Sequence, residues 1–235
     1  MKINEVNLIK GNVEYHKQLN NVVWNENSMN PKVRRALLNI AKIFVEYLDI
    51  KDFKISDIVL AGSMANYNYT KYSDFDLHIV TNYQDLGCDN LAETLYKAKK
   101  QIWNDLHDIT IYDHEVELYV EDVKTPPVSG GIYSILKNRW VKEPEHIDPT
   151  YSQRAVNIKA QSLIDAISKT LKSADSDNDF QRLIDKIRKM RQSGLDTGGE
   201  FSTENLAFKI IRNLGWIEKL HNGLTDFQDQ KLSIG

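Results

Sequence analysis

The chain has 235 residues, 41% of them hydrophobic, which suffices for one large domain or two small ones with an ordinary core. Its 30 Lys and Arg against 33 Asp and Glu leave a net charge of −3, and that speaks against broad non-specific nucleic-acid binding, which needs a basic field. No stretch approaches the roughly 18 consecutive apolar residues of a membrane helix, and Met1 to Asn7 has no apolar signal core, so a cytoplasmic protein without a membrane partner is expected.

Residues 1–30 are polar and Asn-rich, with Tyr15 and Trp24 as anchors and no assignable element. Asn30-Pro31 then reads as a helix start, with Asn as the cap and Pro at the first helical position, where its missing N–H costs nothing. Leu37, Leu38, Ala41, Phe44, Val45 and Leu48 recur at helical spacing, which predicts an amphipathic helix over 31–49. The apolar run Ile58 to Ala61 predicts a strand that ends at Gly62-Ser63, and Leu77 to Val80 predicts a second strand. Residues 89–107 follow as a helix with Leu91, Leu95, Ala98, Ile102 and Leu106 along one side. Ile109 to Tyr112 and Val116 to Val120 read as a hairpin turning near Asp113-His114. Pro126-Pro127 and Gly130-Gly131 break this pattern, and helical periodicity takes over at 151–172 and 178–192. A last helix is predicted from Ser202 through Ile217, with Ser202 as its cap and Phe201 and Leu206 as a hydrophobic staple.

The expected organisation is thus an N-terminal segment (1–30), an α/β (α+β) core with a mixed sheet flanked by helices (31–125), a connecting segment (126–150) and a helical C-terminal domain (151–235). Charge divides along similar lines: residues 1–149 carry 17 basic and 22 acidic side chains, and residues 150–235 carry 13 and 11. The single cysteine, Cys88, excludes an internal disulfide and a cysteine-cluster zinc site, and the six histidines show no metal-ligand spacing.

The chemistry concentrates between residues 60 and 120. Asp74 and Asp76 open the second strand with one apolar residue between them, so they point to one face while Phe75 and Leu77 point to the other. Two carboxylates this close repel unless a cation lies between them, and hard divalent ions take such oxygen ligands and bring phosphates with them. A later strand carries three further acidic residues, Glu115, Glu117 and Glu121, on one face.

The combination Gly62-Ser63, Asp74-Phe75-Asp76 and Val116-Glu117-Leu118 resembles the polymerase-β-like nucleotidyltransferases over roughly residues 55 to 122, with Glu at the third position where that family more commonly has Asp. The resemblance implies two Mg²⁺ ions, with Mn²⁺ as a substitute, held by Asp74, Asp76 and Glu117. Glu117 would ligate only the ion that activates the acceptor hydroxyl. It also implies a nucleoside triphosphate cradled by Gly62, Ser63 and the backbone N–H groups that follow, and a helical domain after the catalytic core. The acceptor stays open between an RNA end, a protein hydroxyl, a small molecule and a second nucleotide. The rival readings are a nucleotide-binding regulatory module without turnover and an antitoxin-like interaction module; the oligomeric state is not readable.

Secondary candidates carry a plainer alternative each. His78 shares the face of Asp74 and Asp76, yet histidines so placed commonly pack or meet solvent. Tyr133 and Trp140 are suited to stacking on a base or to a core. Lys186, Lys189 and Arg182 line one face of a helix, which reads either as a solvated face or as one from which Lys186, Lys189 or Arg191 reaches a triphosphate or a nucleic-acid acceptor; Glu200, Asn205 and Lys209 are weaker cases of the same kind.

Overall fold

The computed structural model describes residues 13–87 and 89–234, so the first twelve residues of the N-terminal segment and Cys88 lie outside the described part. The chain forms two compact units, one of Tyr15–Ile147 and one of Asp148–Gly235 with the described end of Met1–Glu14. The first is a mixed α/β layer structure and the second is helical.

The α/β unit starts with a short ladder of β1 (Trp24–Asn25) and β2 (Ser28–Met29), followed by α1 (Pro31–Leu48). Asn30 caps α1 by accepting from Lys32 N, and Pro31 opens it. Val33, Leu37, Ile40, Ala41, Phe44 and Leu48 are the buried stripe of this helix. Next come β3 (Asp57–Ala61), a one-turn 3-10 helix (Ser63–Ala65), β4 (Phe75–Thr81), a second 3-10 turn (Tyr83–Leu86) and α2 (Asp89–Leu106). The hairpin of β5 (Thr110–Ile111) and β6 (His114–Asp122) follows, then that of β7 (Ile132–Ser134) and β8 (Arg139–Lys142).

The sheet has the order β5-β6-β4-β3-β7-β8. Among the described strands only β4 and β6 run parallel, and α2 is the crossover helix that a parallel connection needs. Leu60, Leu77 and Leu118 share one row of this sheet and are fully buried, as are Phe75 and Ile79. Each fully buried side chain of this size contributes about 1.5–3 kcal/mol by leaving water. Residues one step along each strand point to the other face, which carries the polar row.

Two details differ from the sequence reading. The β5–β6 turn lies at Tyr112-Asp113, both at positive φ (49° and 65°), so His114 already belongs to the strand, opposite Ile111. The β7–β8 hairpin falls in what reads as a connecting segment, yet Leu60 pairs with Tyr133 and Val59 with Ser134, which makes it part of the sheet.

The outer edge of β6 beyond β5 is met by side chains. Asn104 of α2 donates to Leu118 O and accepts from Leu118 N, both at 3.3 Å, and Tyr83 donates its hydroxyl to Val120 O at 2.7 Å.

The helical unit consists of α3 (Gln153–Ser173), α4 (Asp177–Gly198), α5 (Thr203–Asn213) and α6 (Trp216–Leu232), packed through Val156, Ile167, Ile187, Ile210 and Leu220 among others. Ser202 caps α5 by accepting from Asn205 N. The single last helix expected through Ile217 is instead two, because Gly215 takes φ 74° and breaks the path between α5 and α6. No helix among the described residues is long and apolar enough to cross a membrane.

Candidate metal centre

The site assembles from the ends of three neighbouring strands. Antiparallel pairing sets Ala61 opposite Asp76, and parallel pairing sets Asp76 opposite Glu117. The next row along the same face is Val59, His78 and Tyr119. Asp74 stands one residue before β4, and Phe75 between the two aspartates is fully buried, which fixes their common direction.

Asp74, Asp76 and Glu117 each offer a carboxylate oxygen within 4.8 Å of the others, and all three are half-buried. At that separation each pair of charges repels by about 3 kcal/mol at an effective dielectric of about 20. The donor set, three carboxylates with no thiol or imidazole, suits a hard divalent cation such as Mg²⁺ or Mn²⁺. Glu115, two residues earlier, is exposed and pairs with Thr110 in the hairpin, outside this cluster.

The turn before the aspartates is tightly tied. Gly62 sits at φ 72°, ψ −160°, a conformation other residues avoid. Its N–H donates to Ser129 Oγ at 3.1 Å. The Ser63 hydroxyl donates to Ser73 Oγ at 2.8 Å, and Ser73 Oγ also accepts from Thr70 N at 2.9 Å. Ser73 O in turn accepts from His114 Nδ1 at 2.6 Å, which links the loop before Asp74 to the first residue of β6.

Behind Glu117 stands Tyr119, whose hydroxyl donates to Glu117 Oε2. Burial, and next the charge of Glu117, push the Tyr119 hydroxyl far above its ordinary pKa, so it remains a donor. Its ring stacks on His78 with centroids 4.7 Å apart and planes 16° apart, and the Lys100 ammonium lies 4.0 Å from its centroid. His78 Nδ1 lies 3.3 Å from Glu121 Oε1.

Two solved structures are similar to the chain: a STING-associated CdnE c-di-GMP synthase from Capnocytophaga granulosa, 13% identical over 96% of this chain and 100% of that chain with a TM-score of 0.23, and an Elizabethkingia meningoseptica CdnE cyclic dinucleotide synthase with GTP and Apcpp, 12% identical over 98% and 86% with a TM-score of 0.25. At these TM-scores the likeness defines no shared fold, and the site stands on its own geometry. No family model matches the chain, and no curated protein matches it.

Of the residues singled out in the sequence, Gly62, Ser63, Asp74, Asp76 and Glu117 occupy one end of the α/β sheet. Lys186, Lys189 and Arg191 belong to α4 of the helical unit, where the two lysines are exposed and Arg191 donates to Asn205 Oδ1 at 3.3 Å and lies over Phe208. Tyr133 and Trp140 are packing residues: Tyr133 is 1% exposed, and Trp140 stacks on Trp24 at 4.5 Å. Tyr119, Ser73 and Ser129 escape the sequence reading. Tyr119 is two residues beyond Glu117 on the same strand, so the period of two already puts it on the metal face; Ser129 is 67 residues from Gly62 and has no local signal.

Proposed function

We propose that the chain is a divalent-metal-dependent nucleotidyltransferase that moves a nucleoside monophosphate from a nucleoside triphosphate to an acceptor hydroxyl and releases pyrophosphate. The observation that carries this reading is the convergence of Asp74, Asp76 and Glu117 beside the Gly62-Ser63 turn. The α/β unit is then the catalytic one. Asp74 and Asp76 would hold the metal ions, two Mg²⁺ in the fullest form of the reading, and Glu117 would ligate only the ion nearest the acceptor. When bound, such ions neutralise the phosphate oxygens and lower the pKa of the attacking hydroxyl.

The protein's own groups have simpler tasks. Gly62 lets the backbone approach a phosphate with no side chain in the way. The Ser63 hydroxyl, which donates to Ser73 Oγ without ligand, would exchange that partner for a phosphate oxygen.

The test is metal-dependent release of pyrophosphate from each labelled ribo- and deoxyribonucleoside triphosphate, alone and with RNA, with the product identified by mass. Release that requires Mg²⁺ or Mn²⁺ and an intact Asp76 supports the reading. Nucleotide binding without release supports a regulatory module instead.

A further inference from the structure

We infer that Tyr119 is a positioning residue of the metal centre: its hydroxyl holds one oxygen of Glu117, and its ring is itself held by His78 and Lys100. The inference rests on reading the acidic cluster as a metal site and adds a residue that nothing in the Gly-Ser, Asp-x-Asp pattern contains.

Glu117 is the member of the cluster in most need of such support. Asp side chains have two rotatable bonds, and the backbone of β4 together with the buried Phe75 between them largely fixes Asp74 and Asp76. Glu has a third rotatable bond, and its carboxylate can turn away from a shared ion at little cost. The Tyr119 hydroxyl removes that freedom by donating to Oε2. Hydrogen bonds to ligating carboxylates act in this way in metal sites generally, and losing one typically weakens metal affinity or activity about 10–100-fold.

The ring of Tyr119 is in turn well fixed. The parallel register places Tyr119 beside His78, and the two rings stack with centroids 4.7 Å apart. His78 is 8% exposed and meets Glu121 through Nδ1, so the stack is anchored on both strands. Lys100 reaches from α2 to within 4.0 Å of the Tyr119 centroid. The residues Glu121, His78, Tyr119 and Glu117 therefore form a continuous path from β6 to β4 and back, ending at the cluster.

Tyr119→Phe keeps the ring, its stack and its cation contact, and deletes only the oxygen. The experiment is a double-mutant cycle in Mn²⁺ affinity, measured by paramagnetic resonance and calorimetry on the full chain without nucleotide, for the wild type, Tyr119→Phe, Glu117→Gln and the double variant. Tyr119→Phe is expected to weaken Mn²⁺ binding about tenfold, and to add nothing once Glu117 is Gln, because the tyrosine acts only through that carboxylate. Wild-type affinity in Tyr119→Phe, or an equal further loss in the Glu117→Gln background, overturns the inference while the metal site stands. A wild-type chain that binds no Mn²⁺ removes the metal site and the inference together.

Discussion

Gly62 and Asp76 compete for one small volume: a Cβ on Gly62 would stand 1.7 Å from Asp76 Oδ2. Gly62 also holds φ 72°, ψ −160°, a region open essentially to glycine alone. Gly62→Ala is therefore expected to lose about 1–3 kcal/mol from backbone strain and to push the Asp76 carboxylate out of the cluster. Thermal unfolding and Mn²⁺ titration of Gly62→Ala check both effects. In an Asp76→Ala background the clash is gone, so the further stability loss should shrink towards the strain alone.

Asp74→Asn and Asp76→Asn should each abolish pyrophosphate release while leaving the metal-free fold as stable or slightly more so, because each removes a repelling charge from the cluster. Circular dichroism and urea unfolding report the fold, and the release assay reports the chemistry. Near-normal turnover in either variant would separate the aspartates from catalysis.

Glu115 and Glu117 share a strand face, yet the register sets Glu117 opposite Asp76 and leaves Glu115 exposed opposite Thr110. Glu117→Gln is expected to lower turnover at least about a hundredfold, roughly 2.7 kcal/mol in the barrier, with triphosphate binding nearly retained. Glu115→Gln is expected to cost less than about tenfold. Turnover of the two variants at saturating Mg²⁺ decides, and the reverse ranking would make Glu115 the third ligand.

Ser73 is 6% exposed and serves two groups, the Ser63 hydroxyl and Thr70 N–H. Ser73→Ala strands a buried backbone donor, so its stability loss should be about 1–3 kcal/mol. Ser63→Ala should instead weaken triphosphate binding about tenfold, the worth of one hydrogen bond to a charged group, with little change in melting temperature. Calorimetric binding and thermal unfolding of both variants distinguish a structural serine from a ligand-facing one.

At the start of α4, Asp179 Oδ2 accepts from Ser176 N at 3.0 Å and Asp175 N at 3.1 Å. The Ser176 hydroxyl first, then these backbone donors, hold the Asp179 carboxyl below its ordinary range. A depressed folded pKa contributes stability above the ordinary carboxylate pKa and loses it as pH falls through the folded value. Asp179→Asn should flatten that acid limb, as read by helix content against pH below about 4.

Much of the frame was legible in particular residues. Asn30-Pro31 announces α1 with purely local chemistry, and the period of two places Asp74 and Asp76 on one face of their strand, whereas Glu117 joins them only through the pairing of β6 with β4. What local signals lack is the partner. β7 and β8 are three and four residues long, and the pairing of Tyr133 with Leu60 spans some 70 positions, so nothing near Tyr133 advertises it. Tyr112 takes positive φ, a shape uncommon for its side chain, so nothing local marks it as part of the turn. Gly215 did carry a signal, but the apolar spacing through Ile217 masked it.

The amide of Asn104 imitates one residue of a neighbouring strand, offering Leu118 the donor and the acceptor that a strand would offer. With Tyr83 closing the next carbonyl at Val120, the margin of β6 presents no ready template to another chain. The fold is thereby guarded against edge-to-edge self-association at the very strand that carries Glu117, and the guard is a helix side chain. Removing that amide would leave the Leu118 N–H and C=O without the partners it supplies, on the strand edge where another chain could otherwise pair.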